Sequence, residues 1–77
     1  MPSVDIGRRL EIAMRNTGIK PRELCRMLGI KPQRLSTYTT GQVAPAAPMV
    51  RQLCEALGIS ADWLLGINKE GDANELD

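Results

Sequence analysis

The chain has no histidine, no phenylalanine, one tyrosine and one tryptophan, and its only cysteines are Cys25 and Cys54. Without histidine, two isolated thiols cannot close a tetrahedral metal shell, so no metal site is expected. The spacing gives no disulfide scaffold, and no secretory signal stands at the start; a cytoplasmic protein with two reduced thiols is the natural reading. Both cysteines fall on apolar helix faces, as small core residues. No apolar run is long enough to cross a membrane. There is no glycine-rich phosphate loop, no nucleophile elbow and no carboxylate pair on a shared face, so the sequence offers nothing for an enzyme or a cofactor to use.

Acidic residues are also scarce where the bases gather. Overall the formal charge is only +1. Residues 70–77 hold four acids and no base, whereas residues 15–34 hold Arg15, Lys20, Arg22, Arg26, Lys31 and Arg34 against Glu23 alone, a net of +5. Such a local excess is the footprint of a polyanion binder. Residues 1–68 are expected to form one small domain. Residues 69–77, acidic and poor in apolar side chains, read as a disordered tail.

One phrase occurs twice. Gly18-Ile19-Lys20-Pro21-x-x-Leu24 returns eleven residues later as Gly29-Ile30-Lys31-Pro32-x-x-Leu35. In each copy the glycine ends a helix through a left-handed residue. The proline opens the next helix, where a missing N–H costs nothing. Helices are thus expected at 21–28 and 32–40; the first is too short to stand alone and must pack on the second, and joined by a tight turn they make a helix-turn-helix. Asp5 is expected to cap a first helix over 6–17, with Ile6, Leu10, Ala13 and Met14 inward and residues 1–4 loose. Pro48 opens a fourth helix over 48–57, and Ser60 caps a fifth over 61–66 whose apolar part is Trp63, Leu64 and Leu65. Trp63 reads as a core residue, with a dimer contact as the alternative.

Lysine breaks a local rule at both N-caps. Ser, Thr, Asp or Asn would accept a backbone N–H there, and a cation opposes the helix dipole at a cost of a few tenths to about 1 kcal/mol. An anion docked at each helix start reverses that penalty, which makes Lys20 and Lys31 candidate phosphate contacts; the alternative is a solvated lysine with its stem on Ile19 or Ile30. The third helix carries Gln33, Ser36, Thr37 and Thr40 away from the expected core. Those residues favour a helix poorly, but their donors and acceptors suit base edges and phosphates.

These marks resemble a known family. Leu24-Cys25-x-x-Leu28-Gly29-Ile30, followed by Leu35 and Gly41, and then Leu53-Cys54-Glu55-Ala56-Leu57-Gly58-Ile59-Ser60-Ala61-Asp62-Trp63-Leu64-Leu65, are similar to the phage repressor and Cro type of helix-turn-helix domain, which includes the xenobiotic-response-element group of bacterial regulators. The match covers about residues 5–66. The resemblance implies an all-α, five-helix domain that lays its third helix in the DNA major groove. It assigns base contacts to Pro32, Gln33, Ser36 and Thr37. It places Lys20, Arg34 and Thr40 at phosphates or the groove edge. Pro21 has no polar group to offer there, and Arg22 is the neighbour able to stand in.

The chain departs from the pattern in three places. Met14 and Thr39 stand where the family often has an Arg–Glu ion pair. Losing both partners together avoids leaving a buried charge unpaired. The cysteines replace small alanines. The loop Gln42–Ala47 lacks the usual basic contacts, so fewer phosphate contacts and weaker affinity are expected on that side. The resemblance thus implies a double-stranded DNA-binding regulator of prophage or mobile-element type, working as a dimer. A protein-binding module, such as an antitoxin or an adaptor, is the alternative.

Overall fold

Proline opens nearly every helix of this chain. The computed structural model describes residues 2–67, with side-chain surroundings from residue 5 onward. It contains α1 (Pro2–Thr17), α2 (Pro21–Leu28), α3 (Pro32–Thr39), α4 (Ala47–Leu57) and α5 (Ala61–Leu65), with no strand among the described residues. The all-α, five-helix expectation holds. The acidic tail, residues 69–77, lies outside the described residues.

Helix boundaries differ from expectation chiefly at the start. α1 begins at Pro2, not at residue 6, so residues 2–4 are helical and Asp5 sits in the first turn instead of capping it. The same proline signal that opens α2 and α3 was present at Pro2 and outweighs the capping preference of Asp5, which still favours the dipole from within that turn. α4 starts one residue early, with Pro48 in its second position, where the amide is likewise without an intrahelical partner. α3 and α5 each end one residue short, at caps Thr40 and Gly66.

The repeated phrase gives a repeated backbone. Lys20 is extended at φ −81°, ψ 156°, and Lys31 at φ −84°, ψ 152°; each is an N-cap followed by proline and makes no side-chain cap bond. Gly29 takes φ 70°, which lets Ile30 N–H turn back to the Cys25 carbonyl at 3.1 Å. A third Gly-Ile pair, Gly58-Ile59, closes α4 the same way, with Ile59 N–H on the Cys54 carbonyl at 3.0 Å. There the next residue is Ser60, at φ −88°, ψ 151°, whose hydroxyl accepts from Trp63 N–H at 3.1 Å.

Five leucines, one per helix, meet at the centre. Leu10, Leu24, Leu53 and Leu64 are fully buried, and Leu35 nearly so. Each contributes about 1.5–3 kcal/mol by leaving water. Ile6, Ala13, Met14, Cys25, Tyr38, Val50, Cys54 and Leu57 complete the buried hydrophobic side chains, at positions the helical spacing predicted. Burial pushes both cysteine thiols above their usual pKa, which suits inert core residues. Leu65 departs from the apolar group assigned to α5: it is 40% exposed. A five-residue helix buries one side only, and Leu64 occupies it. Trp63 is half-buried against the core, with the Arg9 guanidinium 5.3 Å from its ring centroid.

Candidate nucleic-acid interface

α3 packs inward through Leu35 and Tyr38, so the helical period leaves Gln33 and Ser36 on the outer face. Pro32, Gln33 and Ser36 are exposed, and Thr37 is half-buried. Gln33 and the Ser36 hydroxyl make no side-chain hydrogen bond among the described residues, so their donors and acceptors stay available to a ligand.

The threonines are partly engaged by their own helix. The Thr37 hydroxyl donates to the Arg34 carbonyl at 2.6 Å. The Ser36 carbonyl accepts the Thr40 N–H at 3.0 Å, the Thr40 hydroxyl at 2.8 Å and the Thr39 hydroxyl at 3.3 Å. A backbone carbonyl has two lone pairs, and these hydroxyls engage the spare acceptor capacity of the Arg34 and Ser36 carbonyls. The threonine run therefore has a structural use that sequence reasoning missed. Toward a ligand, Thr37 and Thr40 are left with acceptor lone pairs and a methyl group. Arg34 is also partly held, since its Nε donates to the Tyr38 hydroxyl at 3.0 Å; its terminal N–H groups remain exposed.

The basic side chains flank this face. Lys20, Arg22 and Lys31 are all exposed. Lys20, Pro21, Pro32 and Ser36 line one groove of about 560 Å³ between the end of α1 and the starts of α2 and α3. Met14, Thr39 and Leu35 line it as well. The two positions that depart from the family's ion pair thus share a single groove, where a thioether and a hydroxyl leave room in place of a charge pair. Arg15, counted in the basic cluster but given no contact, lines the groove too. The groove unites Lys20, Pro32 and Ser36; Gln33, Thr37, Lys31, Arg22, Arg34 and Thr40 lie outside its lining.

The three Gly-Ile caps that lead into a following helix form an internal comparison. Their third residues share one backbone conformation, yet the start of α5 uses serine and makes the cap bond, while α2 and α3 use lysine and forgo it. Helix stability alone favours serine at all three. The lysines occur only at the two helix starts beside the α3 surface.

Trp63 lies elsewhere, on α5, with one ring face under Arg9. A second groove, of about 550 Å³, runs between α4 and α5, lined by Val50, Cys54, Leu65 and the exposed Arg51–Glu55 pair. Among the described residues no group of three or more His, Cys, Asp and Glu is placed to hold a metal, and no helix is long and apolar enough to cross a membrane.

The family described as "Helix-turn-helix domain" matches residues 5–64. The chain is 37% identical over 59 residues to the HTH-type transcriptional regulators for conjugative element R391 of Providencia rettgeri, SXT of Vibrio cholerae and pMERPH of Shewanella putrefaciens. The aligned stretch is 77% of this chain but 27% of each regulator, so the chain spans about a quarter of their length. No solved structure matches it. Matched by that family over most of its length, the chain belongs to the helix-turn-helix domain family, of the phage repressor and Cro type.

Proposed function

We propose that the chain binds double-stranded DNA sequence-specifically and acts as a small, repressor-like transcriptional regulator of a mobile element, working in the cytoplasm. α3 enters the major groove. Gln33 reads an adenine through its amide, with Pro32, Ser36 and Thr37 beside it. Lys20 and Lys31 hold backbone phosphates at two helix starts, aided by Arg22, Arg34 and Thr40. The observation that carries this reading is the lysine-for-serine exchange at two of three otherwise equivalent caps: it sacrifices free-domain stability for positive charge beside an uncharged hydrogen-bonding face. The named relatives, regulators of conjugative elements, support it.

Selection of bound fragments from random duplex tests the proposal. A consensus site bound with an affinity that falls steeply with salt supports it; no duplex binding at low salt refutes it. We further propose a homodimer joined through α5, with Trp63 at or beside the contact, reading two half-sites about one helical turn apart. A non-palindromic consensus bound by one copy would refute the dimer.

A second reading, a protein-binding module such as an antitoxin or adaptor, has one observation in its favour. The loop after α3 exposes Val43 at 49% and carries no charge where phosphate contacts are expected. Retained DNA binding after Val43→Asp would argue that this loop serves something other than DNA.

A further inference from the structure

α1 touches α3 at a place that no charged or polar side chain explains. Gly7 is buried in α1, facing the C-terminal end of α3. A β-carbon at Gly7 would stand 2.6 Å from the Tyr38 carbonyl oxygen and 2.7 Å from the Thr39 carbonyl carbon, and would also collide with the Thr39 carbonyl oxygen. Carbon and carbonyl oxygen ordinarily approach to about 3.3–3.6 Å. The Thr39 carbonyl oxygen would be the nearest of the three atoms, so an added methyl must drive the two backbones apart by about 1 Å or more.

All three atoms are backbone, so no rotamer change relieves the collision. The Tyr38 carbonyl is also held from outside, accepting Gly41 N–H at 3.2 Å. The other half of the α1–α3 contact is soft: Met14 and Thr39 line an open groove there, and neither carries the charge that would lock the two helices. The seat of α3 on α1 thus requires a residue without a side chain at Gly7.

We infer that Gly7 is a positioning residue for DNA reading: it sets how deeply and at what angle α3 is presented, without touching DNA itself. The inference rests on the reading of α3 as the recognition helix. A shift of about 1 Å breaks a two-point hydrogen bond to a base edge, which discriminates among bases by about 5- to 150-fold. Long, flexible side chains on phosphates follow such a shift and keep contact.

The test is Gly7→Ala in the full chain, with affinity measured for the selected site and for unrelated duplex at one salt concentration. Expected is a fall of about tenfold or more in the specific-to-non-specific ratio, with non-specific affinity changed less than about threefold. Backbone amide shifts of residues 35–41 in the free variant should move as a block. A merely structural role would lower the melting temperature and leave the ratio intact; that result, or unmoved α3 amides, overturns the inference. So does a variant that fails to fold even in the cold, because the glycine would then serve the whole fold. In the wild-type complex with DNA, nuclear Overhauser contacts from the Gly7 α-hydrogens to Thr39 and Thr40 should persist; their absence is equally fatal. If the wild-type chain binds no duplex, the recognition-helix reading fails, while the amide shifts still judge the α1–α3 seat separately.

Discussion

Exchanging the cap residues separates stability from function. Lys20→Ser and Lys31→Ser place a hydroxyl on backbones that match that of Ser60 to within a few degrees, so the bond that Ser60 makes to Trp63 N–H at 3.1 Å is geometrically available at each. A serine cap stabilises by about 1 kcal/mol, and removing a cation from the positive end of the helix dipole adds about 0.3–1 kcal/mol. For a domain of this size, 1 kcal/mol moves the melting temperature by about 4–8 °C. Each variant should therefore melt several degrees higher than wild type in the absence of DNA.

Binding should move the other way. Losing one phosphate contact lowers the slope of log K against log salt by about 0.9, which at 0.1 M salt corresponds to about an eightfold loss of affinity. The loss should be equal for the selected site and for unrelated duplex, since phosphates carry no sequence information. The reverse exchange, Ser60→Lys, should lower the melting temperature and leave the salt slope alone. Thermal melts by circular dichroism and binding isotherms at four salt concentrations suffice. A lower melting temperature in Lys31→Ser, or an unchanged slope in both lysine variants, would refute the reasoning, because the lysines would then be held by the fold and not by an anion.

Gln33→Ala should relax base preference at one position of the selected site, at a cost of about 1–3 kcal/mol, and site selection repeated with the variant reads this directly; an unchanged consensus removes Gln33 from the reading set. Leu53→Ala, at a fully buried position, should cost about 2–5 kcal/mol in denaturant titrations, and a smaller loss would mean that the five-leucine centre collapses onto the gap. Burial raises the pKa of both thiols above the ordinary value of 9.0. The folded state therefore holds these protons at a pH where the unfolded chain has released them, so their effect on stability is absent at neutral pH and turns unfavourable as pH climbs past about 9. A Cys25→Ala, Cys54→Ala chain should show a shallower alkaline fall in melting temperature than wild type, and parallel curves would contradict the assigned burial.

Much of this architecture was legible because its signals are local. Gly-Ile-Lys-Pro written twice predicted two helix ends and two helix starts, and the dihedrals of Lys20 and Lys31 repeat as the words do. The 3.6-residue period and the spacing after each proline place Leu10, Leu24, Leu35 and Leu53 inward, and all four lie in the centre. At the start of α1 two local signals compete, and Pro2 opens the helix as Pro21 and Pro32 open α2 and α3, ahead of the capping preference of Asp5. The threonines were harder. A hydroxyl that serves a base edge and one that serves its own helix's carbonyl look alike in sequence, and only the geometry around the Ser36 carbonyl distinguished them.

By itself, then, the sequence determined which residues turn, which begin helices and which face inward, because capping, proline geometry and periodicity act within a few residues. Only the tertiary structure decided where α1 meets α3. It brought Met14 and Thr39, 25 positions apart, onto one groove, and pressed Gly7 against the Tyr38 and Thr39 carbonyls. Such contacts arise from two helices crossing at a given depth, and that depth is set by the combined packing of all five helices, which no local stretch of the chain records.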